Sequence, residues 1–159
     1  MQIPFPTSTF LINCRWNRRE RRGRRVNQDP EGLNDLSQRV IAACIEVHRE
    51  LGPGLLESAY EVCLGRELWL AGIPFKRQVP VPVRYKGEVL DAGYRIDLLV
   101  DDRLIVELKA ARTQPNLVRA QVLTYLKLMN LPLGLGVNFN HLRLIDGLVR
   151  VVNHLPEIC

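Results

Sequence analysis

The chain has 159 residues, 47% hydrophobic and 25% charged, which is the balance of an ordinary soluble globular domain with material for one apolar core. No apolar run approaches the roughly 18 residues of a membrane-spanning helix, and no basic segment leads into an apolar stretch and cleavage site, so the expectation is a cytoplasmic protein without a secretory leader. The formal net charge of +5 is unevenly placed: residues 1–33 hold seven arginines against Glu20, Asp29 and Glu31, and everything after them carries only +1. The high charge therefore does not by itself mark the folded part as a nucleic-acid binder.

Residues 1–33 scatter Pro4, Pro6, Gly23, Pro30 and Gly32 through the arginine run and read as a disordered extension, a solvated tail in preference to a nucleic-acid-binding arm. The ordered domain is expected over residues 34–155. Asn34 is placed to cap a helix over Asp35–Leu51, in which Val40, Ile41, Cys44, Ile45, Val47 and His48 recur at helical spacing. Gly52-Pro53-Gly54 ends it, and a second helix over 55–71, stopped by Gly72, completes a helical hairpin. Of the four cysteines, Cys14, Cys44, Cys63 and Cys159, none forms a CxxC pair or stands at zinc-finger spacing to a histidine. Cys44 and Cys63 fall inside the helical patterns as small buried hydrophobes.

Strands follow. Residues 79–85 alternate, but Pro80 and Pro82 restrict them to a sheet edge. Lys86-Gly87 turns the chain into a long strand over 88–100, bent at Gly93. Asp101-Asp102-Arg103 forms the next turn, and residues 104–110 return. Pro115 and Asn116 open a helix to about Asn130, and strands are expected at 133–139, 141–145 and 148–152, the last two joined by a turn at Asp146-Gly147. A helical hairpin, a β-meander, a crossover helix and C-terminal strands make an α/β fold with a mixed sheet.

The chemistry concentrates in Arg95–Lys109. Its apolar alternation is interrupted by Asp97 on one strand and by Glu107-Leu108-Lys109 on the other. Glu107 and Lys109 share a face while Leu108 points away. If Val100 pairs with Leu104 across a three-residue loop, Asp97 lies opposite Glu107 with Cβ atoms about 4.5–5.5 Å apart; a two-residue loop puts them on opposite faces. The turn contains no glycine, so both registers stay open. Two carboxylates that close repel, and a hard divalent cation such as Mg²⁺, which keeps several waters, is the usual remedy. An isolated Asp…Glu-x-Lys pattern is nonetheless more often a surface ion pair than a site.

Three further features bear on it. Gly54, Glu57 and Tyr60 stand at i, i+3 and i+6 at the start of a helix, Gln121 and Tyr125 stand at i and i+4 on another, and the order is helix Glu, strand Asp, strand Glu-x-Lys, helix Gln-x-x-x-Tyr. In this the chain resembles the PD-(D/E)XK nuclease superfamily in its RecB-like form, and more closely the proteins named for the GxxExxY motif. The residues concerned are Val47–Glu57, Asp91–Asp97, Val106–Ala110 and Ala120–Leu126.

The resemblance implies a restriction-endonuclease-like core that uses Mg²⁺ or Mn²⁺ to hydrolyse phosphodiester bonds in nucleic acid, DNA above all. It implies Asp97 and Glu107 as metal carboxylates, the Leu108 carbonyl as a further metal ligand, and Glu57 completing the ligand set directly or through water. Lys109 would position the attacking water and stabilise the transition state, with Gln121 and Tyr125 orienting the lysine and contacting substrate. The alternative is a catalytically silent nuclease-fold module that binds nucleic acid or a protein partner, which the near-neutral charge of the core favours. The oligomeric state stays open, a homodimer included. Tyr60 and Tyr125 also read as core aromatics with bonded hydroxyls and His48 as a helix-end residue outside the site, with Asp91 and Arg95 as neighbours of Asp97.

Overall fold

The computed structural model describes residues 32–91 and 93–153. The chain runs α1 (Leu33–Leu51), α2 (Glu57–Leu70), β1 (Phe75–Pro80), β2 (Val83–Tyr85), β3 (Glu88–Leu90), β4 (Arg95–Val100), β5 (Leu104–Lys109), α3 (Pro115–Met129), β6 (Leu133–Asn138) and β7 (Leu148–Val152). A 3-10 turn occupies Leu144–Gly147. The arginine run, Cys14 and Cys159 lie outside the described residues. Among those described, no helix is long and apolar enough to cross a membrane.

Five strands form one sheet in the order β1-β4-β5-β6-β7, antiparallel except for the parallel pair β5–β6 that α3 connects. The helical hairpin covers one face, where Val40, Cys44, Val47, Tyr60, Leu64 and Leu68 pack with Leu98, Val100, Leu104, Val106 and Leu108. α3 covers the other with Val118, Val122, Tyr125 and Leu126 against Ile96, Leu99, Ile105, Val149 and Val151. The three central strands are buried on both faces, which is why β5 and β6 are apolar almost without alternation.

Two glycines set how closely α3 approaches. A Cβ on Gly134 would stand 2.4 Å from Val122 Cγ1, and one on Gly136 2.4 Å from Val118 Cγ1. Both are far inside van der Waals contact, so the helix sits directly on the β6 backbone. Gly136 pairs with Glu107 in the β5–β6 register, and this close approach therefore sets the height of the α3 side chains over Glu107.

Four sequence expectations need correction. α1 begins at Leu33 after Gly32, whose φ of 69° turns the chain in, and Asn34 lies in the first turn with its side-chain oxygen accepting from Arg150 (2.7 Å). The run 79–85 is two strands: β1 ends at Pro80 and lies at the sheet edge, while Val83–Tyr85 forms a separate hairpin with β3, because Pro82 cannot donate to a continuing ladder. The run 88–100 likewise divides at Gly93, with a φ of 71° and its N–H held by Asp91 Oδ1 (3.1 Å). Residues 141–145 form no strand: Leu144 is buried, Leu142 is exposed, and β7 pairs with β6. Gly147 permits this path, since a Cβ there would come 2.4 Å from the Asn138 carbonyl oxygen.

Gly136→Ala is expected to push α3 off β6 and cost about 1–3 kcal/mol, read as a lower midpoint in urea denaturation with an unchanged slope.

Candidate active site

The β4–β5 hairpin pairs Val100 with Leu104, Leu99 with Ile105 and Leu98 with Val106, so its loop is Asp101-Asp102-Arg103. Asp101 and Asp102 supply the left-handed conformations that glycine would otherwise provide, with φ of 51° and 54°, and Arg103 closes the turn on the Asp101 carboxylate. Aspartate tolerates this region better than most residues, because its short side chain can hydrogen-bond locally. The backbone pairing ends at Leu98 and Val106, one residue short of Asp97 and Glu107. There a side chain enters the ladder: Asp97 Oδ2 accepts the Leu108 N–H at 2.7 Å.

On β5, Lys109 Nζ donates to Glu107 Oε1 at 2.7 Å, with the glutamate side chain 4% exposed and the lysine 19%. The second glutamate oxygen, Oε2, is buried without a hydrogen-bond partner. Burial, followed by the charge of Asp97, pushes the Glu107 carboxyl up to about 7 against the opposing bond from Lys109. Burial also raises Asp97, although the Leu108 N–H and Lys109 favour its charged form. Burial favours neutral Lys109, but the carboxylates of Glu107, Glu57 and Asp97 outweigh it and hold the ammonium above its ordinary range. The lysine backbone is fixed as well, its carbonyl accepting from the Phe139 N–H (2.8 Å) on the β6 side. Since strand residues alternate the side to which they turn their backbone groups, the Leu108 carbonyl faces β4 together with its N–H.

Glu57 enters from the first turn of α2. The corner before it is latched by Tyr60, whose hydroxyl donates to the Gly52 carbonyl (2.6 Å) and accepts from the Leu55 N–H (3.2 Å), while its ring stacks on Phe139 with centroids 4.3 Å apart. Gly54 takes a φ of 112°. The Gly-x-x-Glu-x-x-Tyr spacing thus has a local meaning: glycine makes the corner, tyrosine clamps it, and the glutamate between them opens α2. Burial raises the Glu57 carboxyl, Lys109 opposes, and Asp97 and Glu61 add to the rise.

On α3, Gln121 Nε2 donates to the Tyr125 hydroxyl at 3.0 Å. The lysine that the resemblance would have Gln121 orient is bonded to Glu107 instead. Burial raises the Tyr125 phenol, with Gln121 opposing and Glu107 adding, so this helix too looks onto the acids. His48 spends Nε2 on the His141 carbonyl (2.8 Å). Asp91 caps Gly93, and Arg95 bonds the Gln78 carbonyl (3.2 Å).

Sequence reasoning missed Glu61, Arg77 and Gln78. Arg77 Nε and Gln78 Nε2 donate to the two oxygens of buried Glu61 at 2.7 and 2.8 Å, and the same Gln78 nitrogen stands 3.5 Å from Asp97 Oδ1. The available signal was Glu61 one turn beyond Glu57 on the same helix face.

Glu57, Asp97 and Glu107 do not close into a ready cage: among the described residues no three His, Cys, Asp or Glu side chains are arranged to hold a metal. A hard cation does not need one, because Mg²⁺ retains waters and is commonly held by one or two carboxylates. The residues present fit such an ion. Glu107 Oε2 is buried and partnerless, and neighbouring acids crowd it with negative charge.

Without a divalent ion, the folded chain holds a proton on Glu107 up to about pH 7, whereas the unfolded chain releases it near 4.5. Stability is therefore fully favoured by this group below pH 4.5 and declines as pH rises to about 7, at up to about 1.4 kcal/mol per pH unit. Urea denaturation at several pH values in chelator should show that decline, and Glu107→Gln should flatten it.

A sequence model of the PD-(D/E)XK nuclease superfamily matches residues 34–151, well over half of the chain. Comparisons with curated proteins and with solved structures gave no match. The mixed sheet with helices on both faces and the strand-borne Asp, Glu and Lys agree with a restriction-endonuclease-like fold. The chain belongs to the PD-(D/E)XK nuclease superfamily.

Proposed function

We propose that this chain is a Mg²⁺- or Mn²⁺-dependent nuclease of the GxxExxY group that hydrolyses phosphodiester bonds of DNA. The observation that carries the reading is the partnerless Glu107 Oε2, buried beside Lys109 and in the field of Asp97. Asp97, Glu107 and the Leu108 carbonyl would hold the ion, with Glu57 completing the set through water. When bound, the ion polarises a phosphate oxygen and lowers the pKa of water. Lys109 Nζ is the donor for charge that develops on the phosphate, and its raised proton affinity keeps it an ammonium at neutral pH. Gln121 and Tyr125 present a bonded amide and hydroxyl from α3 for contact with substrate.

We assign the nuclease unit to residues 34–155 and place the arginine-rich extension outside it. The catalytically silent alternative rests on the +1 charge of everything after residue 33. Calorimetry with Mn²⁺ separates the two: heat of binding from wild type, lost in Asp97→Ala, supports the metal site, and no binding by a folded protein favours the silent module.

Purified protein should cleave single- or double-stranded DNA in Mg²⁺ or Mn²⁺ and not in chelator. Asp97→Ala and Lys109→Ala should each lower the rate by about 10²–10³-fold; full activity in either variant would sink the assignment. Removing residues 1–31 should leave cleavage and its salt dependence unchanged.

A further inference from the structure

Along β1 and β4, Arg77 pairs with Leu98 and Val79 with Ile96, which sets Gln78 opposite Asp97. Residues two apart on a strand ordinarily share a face. Here Leu98 packs into the core under α1 and α2, and Ile96 into the core under α3. The ladder turns over between them, at the Gln78–Asp97 position. Gln78 has a φ of 52°, a conformation that non-glycine residues adopt rarely and keep only where their surroundings enforce it.

The turnover has a consequence for the side chains. Adjacent strand residues normally point to opposite faces, yet Arg77 and Gln78 grip the two oxygens of one carboxylate, Glu61. Arg95 holds the Gln78 carbonyl at 3.2 Å. With its backbone held and its amide anchored at 2.8 Å, Gln78 directs its remaining N–H toward Asp97 Oδ1 at 3.5 Å, while the Leu108 N–H takes Oδ2. Both oxygens of Asp97 thus face a fixed donor, and one donor is braced from a helix that also carries Glu57.

We infer that Gln78 is a positioning residue that orients the Asp97 carboxylate, with Glu61 and Arg77 as its brace. The purpose of that orientation rests on the metal-site reading above; the geometry does not. Groups that orient metal ligands typically change metal affinity or activity by about 10–100-fold when removed.

Gln78→Gly removes the amide while tolerating the positive φ, and Gln78→Glu keeps the shape but replaces the donor with a third negative charge beside Glu61 and Asp97. In chelator, hydrogen exchange of the Leu108 amide should speed several-fold in both variants. The amides of the Leu98–Val106 and Val100–Leu104 pairs should stay at wild-type rates. Mn²⁺ affinity by calorimetry should fall about 10–100-fold, further in Gln78→Glu than in Gln78→Gly. Unchanged Leu108 exchange, or acceleration of all these amides together, overturns the inference. If a Gln78 variant fails to fold, Glu61→Gln, which weakens the brace, is read by the same Leu108 exchange. Wild-type protein that binds no Mn²⁺ overturns the metal reading, while the exchange still decides the role of Gln78.

Discussion

A three-residue loop between β4 and β5 is the constraint on which the site depends, because strand pairing has a period of two and one residue more or less would send Asp97 to the other face. Asp101 and Asp102 hold that loop by accepting positive φ, and Arg103 ties it off. From this turn the pairing of the two central strands carries as far as Leu98 and Val106, next to Asp97 and Glu107. There the ladder admits the Asp97 carboxylate to the Leu108 N–H.

The hairpin alone does not make a site. α2 brings Glu57 from one side, held by the Gly52–Tyr60 latch, and α3 brings Gln121 and Tyr125 from the other, pressed onto β6 where only glycine leaves room. Both helices are fixed by packing close to the acids, so the polar groups rest on rigid elements. That arrangement suits chemistry that needs groups held within a fraction of an ångström.

Electrostatically the site is under tension. Three acids crowd one lysine, burial disfavours their charged forms, and a buried oxygen of Glu107 lacks a partner. Structures keep such unfavourable clusters where function requires them, at a cost to stability of the metal-free fold. The strained backbone of Gln78 beside Asp97 belongs to the same pattern.

Helix positions, the central hairpin strands and the crossover were legible in the sequence, since helical spacing and apolar patterning are local signals. The Gly-x-x-Glu-x-x-Tyr corner and the Gln-x-x-x-Tyr helix were legible for the same reason. Tertiary structure decided what local pattern cannot. It selected the three-residue register, which required two aspartates to take a conformation usually left to glycine. It also replaced a strand at 141–145 with a 3-10 turn, because β7 finds its partner in β6. And it drew Gln78 and Glu61 to the site through a face change in β1, which has no signature in alternation because it arises from a single backbone angle held by distant partners.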